Sequence, residues 1–87
     1  MPHLPFGDPF AEDKELSDNF NRLVEKLVFI GITLDEAMEE IEKLYIEMTL
    51  RSYSGNRSKT ARKLGMHRNT LNAKMEKYKI NGGDGRQ

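Results

Sequence analysis

The feature that most restricts how this chain can fold is the stretch over residues 53–80, Y-S-G-N-R-S-K-T-A-R-K-L-G-M-H-R-N-T-L-N-A-K-M-E-K-Y-K-I, in which a turn at Gly65 divides two short helical patterns. Asn56 can accept an orphan backbone N–H of the turn that follows it, which predicts a first helix over 57–64. Gly65 fits the position just past that helix, where a left-handed backbone costs glycine little. Met66 then points inward and His67 occupies the cap of a second helix over 68–78. At 100° per residue, Leu71, Met75 and Tyr78 fall on one face of that helix and Asn69, Asn72, Ala73 and Glu76 on the opposite one. Ala61, being small, sits where the two helices must approach closely, with Leu64 beside it. One face packs and the other is left for something outside the chain, the pattern of a helix-turn-helix.

The residues before this stretch read as its support. Leu16, Phe20, Leu23, Val24, Leu27 and Ile30 follow the rhythm of an amphipathic helix over 14–30, which Gly31 ends. Val28 and Phe29 widen its stripe, so the region 27–32 has to be covered on more than one side. Thr33, Leu34, Asp35 and Glu36 form a capping box, with Thr33 as cap and Glu36 reaching back, and predict a helix over 34–53 of roughly 30 Å. That helix carries two stripes. Leu34, Ala37, Met38, Ile41, Leu44, Tyr45 and Met48 make the larger; Ile46, Leu50 and Tyr53 make the smaller. The smaller is expected under Ala61, Leu64, Leu71 and Met75, and the larger against the first helix and its symmetry mate. Met38, Met48, Met66 and Met75 are read as core fillers. The expected fold is all-α with four helices, the first two forming a homodimer core and the last two the helix-turn-helix, in a domain over 14–80. The dimer interface is expected to use Phe20, Leu23, Val24, Leu27, Ile30, Ile41, Leu44, Tyr45 and Met48, which would set two recognition helices on one side.

Charge separates the two parts of the chain. The formal net charge is zero, yet residues 1–50 hold four bases against twelve acids and residues 51–87 ten bases against two acids. Over 51–79 there are nine Lys or Arg and a single acid, Glu76. Such a chain presents its basic end to a polyanion and keeps its acidic end away. A chain of 87 residues is one small domain, burying roughly 60% of its unfolded surface, so a partner copy would help it. Absence of cysteine leaves no disulfide or thiolate metal site and fits a reducing compartment. No apolar run approaches the roughly 20 residues a bilayer requires, so no membrane partner is expected. Pro2, Pro5, Asp8 and Pro9 interrupt the beginning where a signal peptide would be apolar. Residues 1–13 are expected to be a flexible tail, with a short docking motif of Leu4, Phe6 and Phe10 as the alternative, and residues 81–87 a second flexible tail containing Arg86.

Catalysis is not expected. His3 and His67 lie in different kinds of structure and lack the converging ligands of a metal site. Glu39, Glu40 and Glu42 read as a solvated acidic helix face rather than paired catalytic carboxylates. No phosphate-binding glycine loop occurs, the tyrosines sit at packing positions rather than on a stacking sheet, and no cofactor is expected.

The run from Gly55 to Ile80 resembles the DNA-binding end of the Fis family, the unit that also closes many NtrC-type enhancer-binding activators. Gly55, Asn56, Ala61, Gly65, Arg68, Thr70, Leu71, Lys74, Lys77, Tyr78 and Ile80 carry the resemblance. Asn72 and Ala73 stand where the family is commonly basic, Glu76 replaces what is often another base, and Lys79 stands where a glycine is usual. The resemblance implies a small, cytoplasmic, nucleoid-bound protein that grips two adjacent major-groove segments as a dimer. In that family the recognition helices lie closer together than one turn of straight DNA, so the duplex bends and A·T-rich centres are favoured. The family's N-terminal arms can contact a recombinase; residues 1–13 lack a paired-strand pattern, so that role does not carry over. A recombinase, a polymerase subunit or another protein as further partner is left open, as is whether the chain is complete or the end of a longer activator.

On chemistry, Arg68 is the strongest candidate for a base contact, to guanine O6 and N7. A cation at a helix N-terminus opposes the dipole unless DNA supplies the counter-charge. The plain alternative is a surface cation. Asn69 and Asn72 suit adenine or a phosphate, and Ala73 a thymine methyl. Asn56, Arg57, Ser58, Lys59, His67, Thr70, Lys74 and Lys77 are the expected phosphate partners. Fewer bases on the groove face also sustain a competing reading, a dimerisation or interaction module whose helix-turn-helix binds DNA weakly or not at all.

Overall fold

The computed structural model describes residues 9–81. All regular structure among them is helical: α1 (Pro9–Glu12), α2 (Lys14–Ile30), α3 (Leu34–Ser52), α4 (Arg57–Leu64) and α5 (Arg68–Lys77). The four longer helices fall within a residue of the boundaries that capping and periodicity predict. The described residues form two compact units, one ending at Thr33 and one beginning at Leu34. No helix among them is long and apolar enough to cross a membrane.

In the first unit, α1 is a departure from the expected tail. Proline's fixed φ suits a first helical position, and the single turn carries Phe10 to within 5.0 Å of Phe20, ring centre to ring centre, at a 49° tilt. The rest of the tail, including His3, Leu4 and Phe6, lies outside the described residues, as does the C-terminal tail after Asn81. Asp13 caps α2 by accepting the Leu16 N–H at 2.9 Å. Gly31, in the left-handed region at φ 92°, closes it by donating to Leu27 O at 3.1 Å. No residue of α2 is buried. Phe20, Leu23 and Val24 are exposed along its stripe, and Phe29 is 92% exposed.

The second unit contains the core. The smaller stripe of α3 packs as expected: Ile46 and Leu50 are buried with Ala61 of α4 and Leu71 and Met75 of α5, and Leu64, Met66, Tyr78 and Ile80 flank them. Full burial of one such side chain is worth about 1.5–3 kcal/mol, so these few residues supply most of what holds three helices together. Thr60, also fully buried, presents a hydroxyl with no hydrogen-bond partner among the described residues. Sequence reading does not single it out, because a threonine in a basic helix looks like a surface residue. The larger stripe is not covered by α4 or α5: within the second unit Leu34, Met38, Leu44, Tyr45 and Met48 are exposed, and Ala37 and Ile41 half-buried. Of the four methionines expected as core fillers, Met75 is buried and Met66 half-buried. Met38 and Met48 are on the surface, because α4 and α5 reach only one side of α3.

Three helix ends share one device. Ser54 N donates to Arg51 O and Gly55 N to Leu50 O; Gly65 N donates to Arg62 O and Met66 N to Ala61 O; Lys79 N donates to Glu76 O and Ile80 N to Met75 O. Each pair closes a helix through a left-handed residue at the same place, at φ 54° for Ser54, 76° for Gly65 and 56° for Lys79, and at the first of these ends Gly55 is left-handed as well, at φ 82°. The reversals also return Met66 and Ile80 to the core. Glycine occupies that place only in the middle one, so Ser54 and Lys79 carry a side chain through a conformation that costs L-residues roughly 1–2 kcal/mol. Replacing Lys79 with glycine is therefore expected to raise unfolding stability by about 1 kcal/mol. Gly65→Ala should lower it by a similar amount through the backbone alone, since a Cβ at Gly65 would meet nothing within 4 Å. The midpoints of denaturant unfolding measure both, and a destabilising Lys79→Gly would contradict the assignment of strain.

Candidate nucleic-acid interface

The helix-turn-helix opens with a capped turn. Asn56 accepts the Lys59 N–H at 3.0 Å, which leaves the amide NH2 of this exposed side chain able to donate outward. Ser58 and Lys59 are exposed on the same turn, and the Lys59 ammonium lies 5.9 Å from the centre of the Tyr53 ring. Arg57 behaves differently. It is half-buried and donates from Nη1 to Asn72 Oδ1 at 2.9 Å, tying the start of α4 to the middle of α5.

α5 begins without a side-chain cap. His67 holds the cap position at φ −73° and ψ 152°, and its imidazole makes no capping hydrogen bond. The first N–H groups of α5 thus lack the acceptor that Asn56 supplies to α4, and an outside acceptor can take its place. Arg68, Asn69, Thr70 and Ala73 are exposed on this end. Arg68 has no ion-pair or hydrogen-bond partner among the described residues. Of the four expected base readers, Asn72 alone is compromised: its carbonyl oxygen is occupied by Arg57, and bidentate reading of adenine needs that oxygen as acceptor.

The far end of α5 departs most from expectation. Lys74 Nζ pairs with Glu42 Oε2 at 3.0 Å, Lys77 Nζ pairs with Glu39 Oε2 at 3.1 Å, and the Tyr78 hydroxyl donates to Glu42 Oε1 at 2.5 Å. Glu39 and Glu42 are therefore not part of a purely solvated acidic face; both reach across to the recognition helix. The sequence holds the opposite charges, but which glutamate meets which lysine depends on how α3 crosses α5, and periodicity is silent on that. The Tyr78 hydrogen bond, then the Lys74 ammonium, hold the Glu42 carboxyl below the usual range. In return, Glu42 pushes the Tyr78 phenol up, and Glu39 pushes the Lys77 ammonium up.

These features together define a helix-turn-helix protein of the DNA-binding type: a short capped helix, a left-handed glycine, and a second helix with an uncapped, cationic N-terminus. Residues 37–78 match the model of the Fis family, described as bacterial regulatory proteins, and the segment is a Fis-family helix-turn-helix. The match reaches back through α3 to Ala37 and does not include α2. No curated protein and no solved structure matches the chain.

The cluster around Glu42 makes stability pH-dependent in a definite sense. A carboxyl held low in the folded state contributes stability that is complete above its unfolded pKa, about 4.3, and is lost as pH falls through the folded value. A phenol held high contributes stability that is complete below about pH 10 and is lost as pH rises through the folded value. Thermal unfolding at pH 7 and pH 3 should show a smaller acid-induced loss in Glu42→Gln than in the unaltered chain. The difference should be on the order of 1 kcal/mol, because the pair is partly exposed and screened. Equal losses would mean that Glu42 is not the acid-sensitive group.

Proposed function

We propose that the chain is a homodimeric regulator that binds double-stranded DNA in the major groove with the N-terminal end of α5. The observation that carries this reading is Arg68, an exposed, unpartnered guanidinium at the uncapped start of the recognition helix, where an isolated protein gains nothing from a cation. Opposite a guanine it gains a bidentate pair worth about 1–3 kcal/mol of discrimination. Asn69 and Ala73 flank it as further base readers. Asn56, Ser58, Lys59, His67 and Thr70 line the two helix starts as phosphate contacts. Such a regulator acts at the nucleoid, in the cytoplasm.

Dimerisation is supported by what α2 lacks. A helix of 17 residues with no buried side chain has little reason to persist alone, since most helical stability in proteins comes from packing an amphipathic face. The stripe of Phe20, Leu23, Val24, Leu27 and Ile30 on α2, and that of Ile41, Leu44, Tyr45 and Met48 on α3, each offer an apolar face to a second copy. Two recognition helices closer together than one turn of straight DNA would oblige the duplex to bend, and a preference for A·T-rich centres would follow from deformability.

Binding to a labelled duplex of about 27 base pairs should weaken steeply with salt, the slope counting displaced counterions. Arg68→Glu should abolish that binding and leave the dimer intact by analytical ultracentrifugation; retained binding would remove Arg68 from the interface. A chain that binds neither an A·T-centred nor a G·C-centred duplex at low salt would be an interaction module instead. Separately, Leu27→Asp is expected to dissociate or unfold the protein, and a stable, folded monomer from that substitution would rule out the dimer.

A further inference from the structure

Lys74 and Lys77, in the C-terminal half of α5, carry the charge expected of phosphate partners. In the folded chain they are already engaged. Glu39 and Glu42 lie three residues apart on α3, and Lys74, Lys77 and Tyr78 lie at the matching spacing on α5. Each oxygen of the Glu42 carboxylate has its own partner, the Tyr78 hydroxyl on Oε1 and the Lys74 ammonium on Oε2, and Glu39 takes Lys77. The Lys77 ammonium also lies 5.2 Å from the centre of the Tyr78 ring, so the two pairs form one continuous cluster. At the other end of the same helix Arg68, Asn69, Thr70 and Ala73 are exposed and make none of these contacts.

We propose that Glu39 and Glu42 are positioning residues for DNA recognition: they hold the C-terminal half of α5 to α3 through Lys74, Lys77 and Tyr78, withdraw those lysines from the phosphate backbone, and so set the angle at which Arg68 meets the groove. This rests on the DNA-binding reading above. A lysine engaged by a carboxylate at about 3 Å must break that pair to reach a phosphate, and the acid left behind would then repel the approaching DNA. The phosphate contacts of α5 are accordingly left to its first turn. The recognition helix is braced at one end and open at the other. A three-point brace fixes direction where a single contact would leave the helix free to pivot on Leu71 and Met75.

The test is a salt titration of full-length protein on the same A·T-centred and G·C-centred duplexes. Lys59→Gln should reduce the slope of log affinity against log salt by about 0.9 for each phosphate that the lysine neutralises. Lys74→Gln and Lys77→Gln should leave the slope unchanged, and a reduction of about 0.9 in either would overturn the proposal. Lys77→Glu alone should weaken binding, and Glu39→Lys with Lys77→Glu should restore it to within about twofold, as should the corresponding exchange of Glu42 and Lys74. A double variant that stays about tenfold or more weaker would show that the lysine itself touches DNA. Glu42→Gln, verified as folded by circular dichroism at the assay temperature, should change the affinity ratio between the two duplexes while keeping the slope. An unchanged ratio would reduce Glu42 to a purely structural role. Failure of the unaltered chain to bind either duplex would remove the DNA-binding reading and this one with it, whereas binding combined with a reduced slope in the Lys74 or Lys77 variants removes this one alone.

Discussion

The second unit depends on the burial of one narrow seam. Ile46 and Leu50 on α3 meet Ala61, Leu71 and Met75, and without that seam α4 and α5, at eight and ten residues, are too short to persist as helices. Everything placed at the interface hangs from it. Ala61 is small because the helices close on it, and Leu71 and Met75 are spaced so that one side of α5 is consumed by packing. Arg68, Asn69 and Ala73 are consequently free of any packing duty.

A seam so small leaves little energy to spare, which gives the remaining polar contacts unusual weight. Exposed ion pairs contribute about 0.2–1 kcal/mol each, trivial in a large domain and appreciable where five side chains make the core. The Glu42 cluster, the Arg57–Asn72 bond and the three left-handed helix ends act in the same region, joining α3, α4 and α5 where apolar contact is thin. The two ends held by Ser54 and Lys79 do so at the expense of strain that glycine would avoid. Return of Ile80 to the core offsets part of it, since the reversal that strains Lys79 is also what brings Ile80 back.

How far the fold was legible in the sequence follows from the range of each interaction. Asn56, Gly65 and Gly31 act on backbone within a few residues of themselves, so the end of α2, both ends of α4 and the place where α5 must begin could be read directly. The smaller stripe of α3 was legible too, because a helix-turn-helix has only one way to present Leu71 and Met75 to a neighbour. Contacts between helices were not. Arg57 with Asn72 and Glu42 with Lys74 depend on crossing geometry, and a periodic pattern says which face a residue occupies and nothing about the side chain opposite it. The left-handed backbone at Ser54 and Lys79 was hidden because nothing in serine or lysine announces it. The buried Thr60 was hidden because its neighbours are lysine, arginine and alanine.

The same limit explains why charge alone does not say which cations are paired within the folded chain. Net charge reports the field of a segment, and a field is enough to attract a polyanion; it does not identify which cations stay unpaired after folding. Lys74 and Lys77 contribute to the positive sign over residues 51–79 yet are paired within the unit, while Arg68 and Lys59 contribute the same sign and have no carboxylate partner among the described residues. The acidic character of α3 thereby acquires a second role. Besides keeping the far end of the chain away from a polyanion, it supplies the two carboxylates that neutralise the trailing half of α5. At the start of α5, by contrast, uncapped N–H groups and the unpaired Arg68 coincide.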